Sequence, residues 1–221
     1  MFIGVYNYTV LLTYLGVTSA VIGMVEAMNG NFRTAILCLL ICGLCDMFDG
    51  TVARTRKNRT TDEKRFGVQI DSLCDVICFG VFPAIIGLCL CPINVFTVLC
   101  SVFFVLAGVI RLAYFNVQEQ SREETGDGKR EYYLGMPITM SALIMPAVAL
   151  VTAIDKVSWA YLYPTCLAIV GVLNISRFRV KKPYLVGLLC IAAIGAVVFF
   201  LAFRYGGSIT CLKGANLGSN V

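Results

Sequence analysis

The 221-residue chain has no histidine, one tryptophan and only 14% charged residues. The missing histidine removes the commonest general base and zinc ligand. So little charge beside 58% hydrophobic content excludes an ordinary soluble domain and points to a membrane protein of several spans. Internal repeats and low-complexity segments are lacking as well. Nothing near the amino terminus reads as a cleavable leader, because the first apolar run is too long, lacks a basic start and offers no convincing cleavage site. No stripe of interleaved aromatic and basic residues points to nucleic acid.

Cysteine is the one chemically suggestive residue present in quantity, at eleven copies. Cys42, Cys45, Cys74, Cys78, Cys89, Cys100, Cys166 and Cys190 fall within or at the edge of apolar runs. Cys42-x-x-Cys45 has zinc-like spacing but lies mid-span, with no matching pair at a loop. These thiols read as small apolar packing residues.

The apolar runs predict one all-α domain over residues 1–221, a polytopic helical bundle of seven spans. The spans are expected near 8–28, 34–53, 66–88, 95–115, 137–154, 159–175 and 184–203. Pro83 should kink the third, the segment 118–131 should be a solvated loop, and the tail from Arg204 should be loose. Asn7 and Thr9 are expected to cap the first helix, and Glu26 to lie near its solvated end. Thirteen of the eighteen Lys and Arg lie in 54–65, 122–130 and 177–182, the turns on one side of the membrane. Arg33, Lys156, Arg204 and Lys213 lie on the other. The excess places the first side, and the amino terminus, in the cytoplasm, and it accounts for the net charge of +5.

Four aspartates interrupt this apolar pattern. Asp46, Asp49, Gly50 and Ala53 follow i, i+3, i+4, i+7 spacing, one face of a helix. Gly67, Asp71 and Asp75 follow i, i+4, i+8, again one face. The polar stretch between them makes the two helices antiparallel neighbours. At about 1.5 Å per residue, Asp49 and Asp71 lie roughly 6–7 Å inside the turn, and Asp46 and Asp75 about 12 Å. Two layers of acids can therefore meet. An aspartate at mid-bilayer costs about 2.5–3.5 kcal/mol, so the cluster needs compensating charge. Arg54, Arg56 and Arg111 are the candidate cations nearby, and long stems let all three reach water. Divalent metal answers better. Oxygen ligands without histidine or paired thiols favour Mg²⁺ or Mn²⁺, with Ca²⁺ possible, and two ions would balance four carboxylates.

The pattern D-x-x-D-G-x-x-A-R, a spacer, then G-x-x-x-D-x-x-x-D resembles the signature of the CDP-alcohol phosphatidyltransferases. Here it reads Asp46, Asp49, Gly50, Ala53, Arg54, Gly67, Asp71 and Asp75. The spacer between Arg54 and Gly67 is twelve residues, about one helical turn longer than usual for the family. The blocks 67–84, 111–117 and 132–139 are similar to the phosphatidylserine synthase branch, and the resemblance covers residues 7–182.

The resemblance implies a six-helix core around a polar cavity open to the cytoplasm, with an extra carboxy-terminal span here, in a homodimer. It implies transfer of a phosphatidyl group from CDP-diacylglycerol to the hydroxyl of L-serine, releasing CMP. On that basis Asp46, Asp49 and Asp71 are metal ligands. Asp75 is the candidate general base and shares a metal. Gly50, Ala53, Arg54 and Gly67 would contact the CDP phosphates, the small residues by letting the nucleotide approach the helix closely. Arg111 would anchor the serine carboxylate or a second phosphate, with Ser72, Gln69 and Asn116 as polar neighbours. Sister enzymes using glycerol 3-phosphate, inositol phosphate or choline are the first alternative. A divalent-cation transporter is the distant one, disfavoured because the acids gather at one face instead of lining a path across the membrane.

Overall fold

In hydrocarbon a chain satisfies its backbone by forming helices or a closed barrel. The computed structural model, which describes residues 8–55, 60–125, 132–152, 161–181 and 185–209, is an all-helical bundle with one short ribbon. Its rods begin with α1 (Leu11–Met28) and α2 (Phe32–Thr55). A third, continuous rod joins α3 (Thr61–Asp75), a π-helical segment (Val76–Val81) and α4 (Phe82–Leu90). Then come α5 (Val95–Thr125), α6 (Ser141–Thr152), α7 (Leu162–Ile175) and α8 (Leu185–Tyr205). Strand β1 (Tyr132–Leu134) pairs antiparallel with β2 (Arg179–Lys181), Tyr133 opposite Val180. This ribbon had no signal in the sequence.

Leu11–Met28, Phe32–Val52, Asp62–Leu90 and Val95–Ser121 are each long and apolar enough to cross a membrane. Ile138–Val151, Leu162–Ile175 and Ala192–Tyr205 are shorter apolar helices. Leu99, Val102, Leu106 and Ile110 stand exposed along α5, an outward face suited to lipid, whose tails are as apolar as leucine.

Small residues set how α1 lies on α2. Gly16, Ala20, Gly23 and Ala27 are buried along one stripe of α1. A Cβ on Gly23 would come within 2.7 Å of the Cys38 Cβ and run into the Phe82 ring, so only glycine permits this approach. Ser19 Oγ donates to the Cys38 carbonyl at 3.1 Å, and Cys42 Sγ to the Gly16 carbonyl at 3.2 Å. These contacts fix an antiparallel register that carries through to the acidic end of α2.

The third rod starts five residues earlier than its apolar pattern indicates. The Thr60 hydroxyl accepts from the Glu63 amide at 3.2 Å, and the Glu63 carboxylate accepts from the Thr60 amide at 3.0 Å. This reciprocal cap winds Thr61–Phe66, half of the long spacer, into α3. Further along, Pro83 has no N–H to offer the Phe79 carbonyl one turn back. The backbone widens into the π-helical segment just before it. Ser141 Oγ donates to the Phe79 carbonyl at 2.9 Å, and the Tyr163 hydroxyl to the Pro83 carbonyl at 3.1 Å. Both donors are 0% exposed.

Two expectations need correction. Helix α5 does not stop near Phe115 but continues to Thr125, so the first part of the segment expected as a loop is helical. No glycine or proline lies between Gly108 and Gly126, and a polar helix end in water needs no packing to persist. Nor is the whole tail loose. Helix α8 extends to Tyr205, Gly206 packs on Arg33, and Ile209 is 4% exposed. The Arg33 guanidinium lies 4.5 Å from the Phe203 ring centre, tying α8 to the start of α2. Residues 210–221, Asn7 and the basic turn residues 56–59 fall outside the described set.

Candidate active site

The register set by the α1–α2 stripe and the cap on α3 bring two acidic helix faces together. One carboxylate oxygen from each of Asp46, Asp49 and Asp71 lies within 4.8 Å of the other two. All three side chains are half-buried. Asp49 and Asp71 approach to hydrogen-bonding separation. Two full charges about 4 Å apart near a protein surface repel by roughly 4 kcal/mol, so this grouping calls for a proton or a cation among the oxygens. Asp75, one turn beyond Asp71, lies outside that group of three.

The donor set fits a hard divalent cation. It is all oxygen, it carries excess negative charge, and it is partly shielded from water. Asp46, Asp49 and Asp71 are the residues that could hold such an ion.

One contact at this site has no signature in the acidic motif itself. Thr13 Oγ1 on α1 points at Asp49 Oδ2, at 3.5 Å. Thr13 lies three residues before Gly16 on the small-residue stripe, so its spacing placed it on the face turned toward α2. Nearer the helix end, the Tyr8 and Thr55 hydroxyls meet at 3.1 Å.

Gly50 is exposed, with open space where a side chain would project, and Gly67 is half-buried one turn before Asp71. Ala53 and Arg54 continue the same face of α2, and their side chains lie outside the described set.

The residues expected around an acceptor separate into two groups. Ser72 Oγ donates to Asn116 Oδ1 at 2.9 Å, a bond joining α3 to α5. Gln69 is exposed. Arg111 does not snorkel to water. It is 6% exposed, its Nη1 donates to the Asn174 carbonyl at 3.1 Å, and its guanidinium lies 4.6 Å from the Phe115 ring centre. Helix α5 therefore grips the carboxy-terminal end of α7.

Residues 6–173 match the family model described as CDP-alcohol phosphatidyltransferase. Among curated proteins, the chain is 34% identical over 173 residues to an archaetidylserine synthase of Methanothermobacter thermautotrophicus, covering 78% of this chain and 68% of that one. It is 40% identical over 109 residues to a CDP-diacylglycerol–serine O-phosphatidyltransferase of Saccharomyces cerevisiae, covering 48% of this chain and 38% of the yeast protein. A Helicobacter pylori protein of the same name is 28% identical over 173 residues, covering 73% of this chain and 68% of its own. The match runs through both acidic half-motifs and the helices that hold them, and on that ground the chain belongs to the CDP-alcohol phosphatidyltransferase family.

Proposed function

We propose that this protein transfers a phosphatidyl group from CDP-diacylglycerol to the hydroxyl of L-serine, giving phosphatidylserine and CMP. The observation that carries the reading is the meeting of Asp46, Asp49 and Asp71 where α2 and α3 turn their acidic faces together, in a chain of this family. The names of the relatives support serine as acceptor. A single buried cation, Arg111, among the described residues also favours an acceptor without a phosphate, since a phosphorylated one would call for several.

Asp46, Asp49 and Asp71 would hold divalent metal, two ions with Asp75 sharing one, Mg²⁺ or Mn²⁺ before Ca²⁺. Bound there, metal supplies stabilisation of the negative charge that grows on the departing CMP. Asp75 accepts the proton of the serine hydroxyl as it attacks phosphorus. Gly50, Ala53 and Gly67 keep the helix faces low enough for the nucleotide to lie close, and Arg54 contacts its phosphates. Arg111 holds the serine carboxylate, with Ser72, Gln69 and Asn116 lining the approach. Thr13 orients the Asp49 carboxylate, the role a hydrogen-bonding neighbour of a metal ligand serves.

The whole chain is read as one integral membrane domain, a multi-pass protein of the cell membrane with the acids facing the cytoplasm and the amino terminus inside, working as a homodimer. The test is direct. Purified protein is incubated with CDP-diacylglycerol and, separately, L-serine, glycerol 3-phosphate, inositol phosphate or choline, and CMP release is measured. Release with serine alone supports the reading, and release with another acceptor alone overturns it.

A further inference from the structure

Among the described residues, the buried polar or charged side chains are Thr97, Ser101, Arg111, Ser141 and Asn174. Thr97, Ser101, Ser141 and Arg111 each make a hydrogen bond to a neighbouring carbonyl. Asn174 is the exception. It is 3% exposed, and neither its Oδ1 nor its Nδ2 has a hydrogen-bond partner among the described residues. Leaving such a group unpaired is costly, and a carboxamide leaves both a donor and an acceptor to be satisfied.

Its surroundings are specific. The Arg111 guanidinium reaches the backbone carbonyl of this same residue at 3.1 Å. The chain crosses close by at Gly135, whose φ of +69° suits glycine. A Cβ there would lie 2.9 Å from Arg111 Nη1 and 3.1 Å from the Asn174 carbonyl. Gly135 N donates to the Phe178 carbonyl at 2.7 Å, and Met136 N to the Leu173 carbonyl at 3.3 Å. Two backbone bonds thus fasten a short cover over the Arg111–Asn174 pair.

The depth of the pair relates it to the acids. Ser72 on α3 meets Asn116 on α5, and Gly80 and Gly108 both face Ile138 Cδ1. On that antiparallel register Arg111 lies level with Val76 and Ile77, within one helical turn of Asp75 along the bundle axis.

We propose that the Asn174 carboxamide is a binding residue for the charged end of an α-amino acid acceptor, acting with Arg111. The inference rests on the serine reading above and deepens it. Nδ2 donates to the carboxylate that Arg111 also holds, and Oδ1 accepts from the α-ammonium. A zwitterion supplies the acceptor and the donor that Asn174 lacks. The charged group of glycerol 3-phosphate supplies only acceptors, and the quaternary ammonium of choline has no N–H to donate.

The test uses the full chain in detergent micelles with divalent metal and measures KM for L-serine and for CDP-diacylglycerol separately. Two variants are compared with wild type. Asn174→Leu keeps the volume and removes both polar atoms. Asn174→Asp keeps the shape and turns the donor into an anion facing the serine carboxylate. The expected result is a serine KM at least tenfold higher in both, with the KM for CDP-diacylglycerol within about twofold of wild type. Serine methyl ester should be used poorly by wild type, and its disadvantage against serine should shrink in Asn174→Leu. Should Asn174→Leu fail to insert or fold, Asn174→Ala, which also removes both polar atoms and adds no charge, decides. If Asn174 only holds an ordered water, removing its polar atoms without adding a charge leaves the serine KM within about twofold of wild type, and that result overturns the assignment. Wild type that turns over CDP-diacylglycerol with another acceptor and not with serine overturns the serine reading itself, a distinct failure.

Discussion

The rod from Thr61 to Leu90 holds two regions that treat their polar groups in opposite ways. In the α4 half, a proline leaves the Phe79 carbonyl without its helical partner, and the bundle answers with Ser141 there and Tyr163 on the next turn. Phe79, Phe82, Ile86 and Leu90 close around those bonds, each 0–1% exposed. In the α3 half, Asp71 is brought against Asp49 and Asp46 with no counter-charge supplied from the described residues. One half uses packing to satisfy a local defect. The other uses the same packing to hold like charges together. Such a conflict persists where something outside the chain resolves it, and this separates scaffold from site along a single helix.

The largest effect expected from this contrast lies in the acidic half. Asp71→Asn should lower the turnover number on the order of 10³-fold, the scale seen when a charge-stabilising group is removed from a transition state. It should also leave the chelated protein as stable as wild type or more so, because one member of a repelling group is gone. A thermal melt in chelator alongside the rate assay checks both, and a large loss of stability would erase the distinction between the halves.

The scaffold half should respond the other way. Tyr163→Phe removes the buried hydrogen bond to the Pro83 carbonyl and should cost about 0.5–1.5 kcal/mol of stability, while KM for both substrates stays within about twofold. Equal losses of activity and stability would show that the packed half is part of the site. Between the two, Arg111→Ala should raise the serine KM about tenfold and leave that for CDP-diacylglycerol nearly unchanged. A matching rise in both would assign Arg111 to the scaffold. The smallest effect is expected at Thr13. Thr13→Val keeps the shape and removes the long contact to Asp49, and should raise the metal concentration needed for half-maximal activity by about tenfold at most. No shift at all would leave Thr13 as packing.

Much of this arrangement is legible in the sequence, for a physical reason. Span positions follow from composition because a bilayer imposes length and apolarity on each rod. The acidic face is legible because helical spacing alone puts Asp46 with Asp49 and Asp71 with Asp75. The start of α3 is written in Thr60 and Glu63, a capping pair hidden in a stretch that looks like a plain charged turn. The end of α5 is not legible in the same way, because hydropathy marks where a helix leaves the apolar phase, not where it stops being helical. Spacing alone does not assign Thr13, Tyr163 or Asn174. Each matters through a partner 36, 80 or 63 residues away, and only tertiary packing names that partner.

The central claim is that Asp46, Asp49 and Asp71 exist to share divalent metal for phosphatidyl transfer. It is tested most directly by measuring CMP release from CDP-diacylglycerol and L-serine by the purified protein, first stripped with chelator and then titrated with Mg²⁺ or Mn²⁺. The account predicts no release after chelation and saturable recovery with either metal in wild type, but not in Asp71→Asn. Full activity in chelator, or equal recovery in the variant, would contradict it.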